Sequence, residues 1–319
     1  MELITSVTEG VIKKAAKALK DGHLVAFPTE TVYGLGADAI NEKAVSRVYS
    51  VKGRPSDHPL IVHISSIKQL NKWAIEIPNY AMKLAKEFWP GPLTLILKRN
   101  NLARDFITGG QDNVGIRVPA QTTALELLKE FEALGGNGIV APSANRFGKV
   151  SPTCAKHVYD DLGNYLTQND VIIDGGSCLI GIESTIVNCT GKIAEILRPG
   201  LITSEMIEAA LGNSKLNIPL VTKIKFSGAQ ASHYKPNALV VLNDLAKPGD
   251  GFIALEEVAT PIGAVRLASP RNVHEFANQM YSALRIADEK NISKITVITP
   301  SGSGIALAIN DRLKKASTI

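Results

Sequence analysis

The chain has 319 residues, 45% hydrophobic and 20% charged, which excludes a disordered chain and supplies apolar material for one large and one small domain. Its formal charge of +5 suits anionic substrates but is no nucleic-acid signature by itself. Three cysteines without a CxxC pair (Cys154, Cys178, Cys189) argue against a disulfide framework. A start without a signal-peptide core and the lack of any ~18–20-residue apolar run point to a soluble, cytoplasmic protein with no membrane partner.

In chain order, the patterning predicts a helix over 11–20 and strands over 23–28 and 60–64. A helix over 79–89 follows Pro78, and then come strands over 93–97 and 114–118 and a helix over 122–133. Strands over 138–141, 171–174, 184–188 and 193–197 and a helix over 204–211 complete this part. Strands separated by helices imply an α/β sheet, and the wholly apolar 93–97 implies cover on both faces. From Gly212 to Pro236 the pattern lapses into a polar segment with Gly, Ser and two prolines, read as a linker. A second α/β unit follows, with strands over 239–242, 252–255, 264–267 and 295–299. Its long helix shows the helical period in Val273, Phe276, Ala277, Met280, Leu284 and Ala287, and a final helix closes the chain. The expected division is 1–212, a linker over 213–237, and 238–319.

Several chemistries are absent from the sequence. It holds no GxxxxGK[ST] loop, GxSxG elbow, HExxH or GxGxxG after the first strand, and its six histidines lack ligand spacing. Five segments remain. Pro28-Thr-Glu-Thr-Val-Tyr-Gly-Leu-Gly36 combines glycines that let a ligand approach with neutral threonine hydroxyls; the alternative is an ordinary strand-to-helix turn. Lys52-Gly-Arg-Pro-Ser-Asp-His-Pro59 puts Lys52 and Arg54 on one side of an extended, proline-stiffened chain, either as a phosphate clamp or as a solvated basic turn. Arg117 interrupts an apolar strand, so it must meet a carboxylate from a neighbouring strand or a substrate anion. The polar run from Ala141 to Thr153 leaves a strand and enters a helix. Ser151 is its expected N-cap with Pro152 at the first helical position, and Ser143, Asn145 and Lys149 are expected at the same mouth. Ser184 and Arg198 flank a hairpin-like pair of strands, and Cys178 and Cys189 read as small buried hydrophobes.

Taken in order, PTETVYGLG, KGRPSDHPLIVHI, WPGPLTLIL, VGIRVP, APSANRFGKVSPT, ESTIVN and LRPG resemble the YrdC-type threonylcarbamoyl-AMP synthases. His233-Tyr-Lys-Pro236 resembles the HYxP linker motif of the long two-domain form, and the closing GSGIALAINDRLKKAS is similar to its GxGxAxxDRL ending. The resemblance implies a YrdC-like twisted mixed sheet with helices around a concave active site, plus a smaller Rossmann-like α/β domain. It implies a nucleotidyltransferase that makes L-threonylcarbamoyladenylate and pyrophosphate from L-threonine, bicarbonate and ATP, with Mg²⁺ on the nucleotide, for t6A modification of tRNA. A downstream threonylcarbamoyl-transferase complex and a weak tRNA contact are the further partners it implies.

Matched motif by motif, Thr31, His63, Arg117, Ala141 and Ser184 resemble the threonine-binding positions, with Arg117 on the carboxylate. Arg54, His58, Asn113, Ser143, Asn145, Ser151, Arg198 and Tyr234 resemble the nucleotide-binding positions, with Lys52 as a phosphate partner. Lys52, Arg54 and Arg117 are the expected catalytic cations, and no metal ligands are named. Tyr234 lies in the linker, which implies a lid. His58 stands where many relatives have Asn, and the linker lacks the Pro-Gly-Met that many long forms carry. The competing readings are a double-stranded-RNA-binding module and an adenylating enzyme for another amino acid. Against the first, the basic residues are single and spaced, without interleaved aromatics.

Overall fold

Thr8 opens the first helix: its hydroxyl accepts from the Val11 amide, and Glu9 puts a carboxylate in the first turn. Ile12, Ala15, Ala16 and Leu19 then fall on one buried face. The computed structural model describes residues 2–4, 7–213, 216–219 and 222–318, and comparable local rules build two sheets from them.

The first sheet contains β1 (Glu2–Ile4), β2 (Val25–Phe27), β3 (Gly34–Asp38), β4 (Ile61–His63), β5 (Leu93–Lys98), β6 (Asn113–Arg117), β7 (Ile139–Val140), β8 (Val171–Ile173), β9 (Thr185–Asn188) and β10 (Glu195–Arg198). Its order is β1-β8-β2-β3-β7-β4-β6-β5-β9-β10, with parallel and antiparallel pairs mixed. Around it lie α1 (Glu9–Lys20), α2 (Glu42–Lys52), α3 (Leu70–Trp73), α4 (Asn79–Phe88), α5 (Asp105–Thr108), α6 (Thr122–Ala133), α7 (Ala155–Leu162) and α8 (Ser204–Ala210). Both faces are covered. Val25 and Phe27 pack with α1 and α6, whereas Leu24 and Ala26 enter the larger core on the opposite face, as the period of two requires. Residues 93–97 of β5 are all buried and Lys98 emerges.

The second sheet is wholly parallel, in the order β11 (Leu239–Leu242), β14 (Lys294–Val297), β12 (Gly251–Ile253), β13 (Val265–Ala268), and carries α9 (Val273–Glu289) and α10 (Ile305–Ser317). The mixed first sheet and smaller parallel second sheet agree with the expected fold class. The second core is not closed on itself: Val32, Val150 and Ile182 of the first part and Tyr234 of the connecting segment pack with Phe276, Met280 and Leu313. Gly181 permits that approach, since a Cβ there would lie 2.6 Å from the Asn278 Cα.

Three local expectations are corrected. The run from Pro28 to Gly36 is no strand-to-helix turn: residues 34–38 form β3, which returns antiparallel to β2. Lys52 and Arg54 do not lie on one extended chain. Lys52 ends α2, and Gly53 turns the backbone left-handed at φ 63° before Arg54. Ser151 is no N-cap, because the helix starts at Ala155 with Cys154 as its cap, and the Ser151 hydroxyl instead donates to Glu183.

Candidate active site

The parallel register of β4 and β6 sets His63 opposite Arg117, so both side chains leave the same face of the sheet. Arg117 is 5% exposed, and its anion is on the neighbouring loop: Nη2 donates to Glu30 Oε1 at 2.5 Å. Glu30 Oε2 in turn accepts the Ala120 amide at 3.0 Å. Arg117 Nη1 donates to Thr31 Oγ1 at 2.9 Å and Nε to the Gly91 carbonyl at 3.3 Å. These bonds use three of the five guanidinium N–H groups and leave two. The Thr29 hydroxyl donates to the Val32 carbonyl, so in the 2.8 Å contact between Thr29 and Thr31 the proton belongs to Thr31. Thr31 Oγ1 therefore keeps acceptor capacity for a ligand N–H. Burial, reinforced by the Arg117 charge, pushes the His63 imidazole down to about 3, so it is neutral at ordinary pH.

Ser184 and Arg198 form the adjoining wall. Ser184 Oγ meets Thr94 Oγ1 at 2.8 Å, and the Ser184 carbonyl accepts from Arg198 Nε and Nη2 at 3.0 and 2.9 Å. Glu183, one residue earlier, accepts from Ser151 (2.6 Å), Tyr281 (3.0 Å) and Arg312 (3.2 Å). Burial alone would push this carboxyl up, but the Arg312 and Arg198 charges hold it down to about 2.

The segment around 226–234 roofs the space. Ser227 gives its carbonyl to Arg198 Nη1 at 2.8 Å and accepts Arg54 Nη2 on its hydroxyl at 3.4 Å. Gly228 (φ 83°) lies against Tyr234, where a Cβ would come within 2.6 Å of Oη. Tyr234 takes the unusual φ of 63°, and its ring stacks on Tyr281 with centroids 5.6 Å apart. The cavity left beneath measures about 60 Å³, below the ~300–1,000 Å³ of small-molecule pockets. Among the described residues, the buried atoms Arg54 Nε, His233 Nδ1, Tyr234 Oη and Arg312 Nη2 have no hydrogen-bond partner. Native interiors leave few such atoms unpaired, and the three on residues that line one cavity (Arg54, His233 and Tyr234) mark a ligand or water site. Arg54 and Arg198 line the cavity, with Arg312 and Lys315 behind its wall and roof, against the carboxylates of Glu183 and Asp311, an excess of positive charge that suits a polyanion.

Residues 17–200 match the Sua5–YciO–YrdC family (telomere recombination), and residues 202–318 match the threonylcarbamoyl-AMP synthase C-terminal domain. The threonylcarbamoyl-AMP synthase of Pyrococcus abyssi is 39% identical over 99% of this chain and 98% of its own length. That of Bacillus subtilis is 39% identical over 98% and 94%. The crystal structure of P. abyssi Sua5 complexed with L-threonine superposes with a TM-score of 0.89 at 38% identity, covering 99% of this chain and 98% of that one. The chain belongs to the Sua5–YciO–YrdC family.

Within this family member the cavity gathers Thr31, Arg54, His63, Arg117, Ala141, Ser143, Ser184, Arg198 and Tyr234 from segments far apart in sequence. Five expected site residues lie elsewhere. Lys52 is buried beneath the floor, its Nζ donating to the Ser143 and Asn145 carbonyls at 2.5 and 2.6 Å. Burial, with Arg54 nearby, holds its ammonium well below the usual lysine range; it braces the loop and is not presented as a phosphate clamp. Asn145 is also bracing, donating to the Arg146 and Lys149 carbonyls, and Lys149 itself reaches Asn237. Ser151 is spent on Glu183. His58 packs edge-on to Phe147 beside the connecting segment. Asn113 lines a small neighbouring cavity that shares Ile61 and Ser227 with the main one.

The sequence reading missed Glu30, Glu183, His233, Ser227 and Gly228. A carboxylate inside an otherwise neutral motif was the available signal for Glu30 and Glu183, the same argument that singled out Arg117. Cys178 and Cys189 are buried as expected; burial pushes Cys178 up to about 12 and raises Cys189 as well, so neither is an activated thiol. Among the described residues, no group of three His, Cys, Asp or Glu could hold a metal ion, and no helix is long and apolar enough to cross a membrane.

Proposed function

We infer that this chain is a threonylcarbamoyl-AMP synthase. The observation that carries the reading is the convergence of Arg117, Thr31, His63 and Ser184 with Arg54 and Arg198 under one roof. It occurs in a chain whose whole length aligns with synthases of that name and with a relative complexed with L-threonine. Arg117 offers its two remaining N–H groups to the threonine carboxylate, and Thr31 Oγ1 accepts from the amine. Neutral His63 contributes a hydrogen bond without adding charge beside Arg117.

Bicarbonate and the threonine amine condense to a carbamate with loss of water. A carbamate oxygen attacks the α-phosphorus of ATP, and the bond to pyrophosphate breaks. This transfer needs no covalent nucleophile. It asks for alignment and for positive charge where negative charge develops, which Arg54 and Arg198 supply. The nearest carboxylates, Glu30 and Glu183, are committed to arginines. Magnesium, where ATP carries it, would be part of the substrate and would supply charge neutralisation on the phosphates. The roof over the cavity keeps water from the mixed anhydride, which must then pass to a transferase acting on tRNA.

Calorimetric titration tests the amino-acid assignment. L-Threonine should bind at least about 100-fold tighter than L-valine, which lacks the hydroxyl and leaves buried polar groups unpaired. Equal affinity for the two would shift the reading to an adenylating enzyme for another amino acid.

A further inference from the structure

The second domain reaches the Glu183 wall through α10, the last helix, as well as through Tyr281 of α9. Arg312 lies on that helix's buried stripe among Ile305, Ala308, Ile309, Leu313 and Ala316, where helical spacing calls for an apolar residue. It is fully buried and backs the wall of the cavity: Nε reaches Glu183 Oε2 at 3.2 Å and Nη1 the Pro199 carbonyl at 2.6 Å. One turn on, Lys315 Nζ donates to the Gly228 carbonyl in the roof at 2.9 Å, and the Lys315 carbonyl accepts the His233 amide at 3.3 Å. Asp311 bridges the two cations, 3.0 Å from each.

A buried ion pair is weak support for stability, because hydrophobic residues of similar volume often do as well. A pair that joins the wall of a site to a separate domain is better explained by placement. Neither Arg312 nor Lys315 lines the cavity, so neither is a catalytic residue. We propose that both are positioning residues for adenylyl transfer, Arg312 holding the Glu183–Ser184 wall and Lys315 latching the roof at Gly228. The proposal rests on the synthase reading and deepens it, giving the second domain a share in the active site. Loss of the latch opens the roof more often, which weakens ATP retention but leaves the threonine contacts of Arg117 and Thr31 intact.

The test compares Lys315→Met and Lys315→Arg in the full chain, with tryptic cleavage after Lys223 and Lys225 as a measure of roof opening. Lys315→Met should raise the KM for ATP and the cleavage rate about tenfold each, as expected for a destabilised local closure. The Kd for threonine should hold within about twofold, and Lys315→Arg should restore both quantities. Arg312→Met should lower kcat, and the Lys315 pair keeps the proposal falsifiable if that variant fails to fold. Unchanged cleavage and KM would overturn the latch, as would an equal loss of threonine affinity. A wild-type chain that releases no pyrophosphate would overturn the synthase reading, while the cleavage comparison would still decide whether Lys315 holds the roof.

Discussion

Glu30 and Arg117, 87 positions apart in the chain, meet at 2.5 Å in the floor of the cavity. Both are almost wholly buried, so each is the other's compensation, and the guanidinium is already hydrogen-bonded to Thr31 in the absence of substrate. Arg117 answers both alternatives open to an arginine in an apolar strand: it has a protein partner and it borders a cavity.

This pairing separates stability from binding. Arg117→Ala leaves Glu30 as an uncompensated buried charge, at a cost of about 3–5 kcal/mol. The double variant Glu30→Gln/Arg117→Met should recover most of that loss in urea unfolding yet remain unable to bind threonine by calorimetry. If the double variant bound threonine as the wild type does, Arg117 would be a structural residue.

Burial, reinforced by Arg117, holds His63 near 3, and burial holds His233 near 3 although Glu183 opposes it. Both lie below the ordinary value of about 6.5, so between those limits the unfolded chain binds more protons than the native one. Stability is therefore full above pH 6.5 and falls as pH drops, by up to about 1.4 kcal/mol per unit for each group. His63→Gln should reduce that slope by one group's share in urea midpoints taken at pH 7, 6 and 5. Parallel slopes for variant and wild type would mean that His63 is accessible to protons in the native state.

Gly228 sits at φ 83° with Tyr234 Oη 2.6 Å from where a Cβ would be, whereas Gly212 at φ 73° has nothing within 4 Å. Both alanine variants bear backbone strain of roughly 1 kcal/mol, but Gly228→Ala alone also props the roof off Tyr234. Synthesis should fall at least about tenfold in Gly228→Ala and stay within about twofold of wild type in Gly212→Ala. Matching activities would remove the roof from the mechanism.

Gly181 allows the two parts to touch, its missing Cβ lying 2.6–2.7 Å from the backbone of Ala277 and Asn278. Gly181→Ala should pry α9 from the loop that carries Glu183. Interface tryptic sites should then open and the thermal midpoint should fall by about 4 °C or more. An unchanged midpoint and digestion pattern would show that the interface yields without cost.

Strands with strong β patterning, such as β5 and β9, and long periodic helices such as α9 were legible from sequence, because local preference and burial agree there. Helix α2 was not: its buried stripe of Ala44, Val45, Val48 and Tyr49 is broken by Glu42, Lys43 and Arg47, and the Lys-Gly-Arg motif drew attention to its end. The site residues fall into two groups for a similar reason. Arg117 could be identified because a charged group in an apolar strand demands a partner, and Thr31 and Arg198 through the motifs that carry the family resemblance. Their partners could not, since Glu30, Ser227 and Arg312 are brought in by the order of strands in the sheet, the path of the connecting segment and the docking of the second domain. Lys52 shows the converse: a charge next to a motif is bonded here to the backbone carbonyls of Ser143 and Asn145.

The central claim is tested most directly by pyrophosphate release from ATP and Mg²⁺, with L-threonine and bicarbonate omitted in turn. The account predicts release only when both are present, together with a labile adenylate that carries threonine and the bicarbonate carbon. Release that proceeds without bicarbonate would make this an ordinary amino-acid adenylating enzyme and contradict the carbamate mechanism.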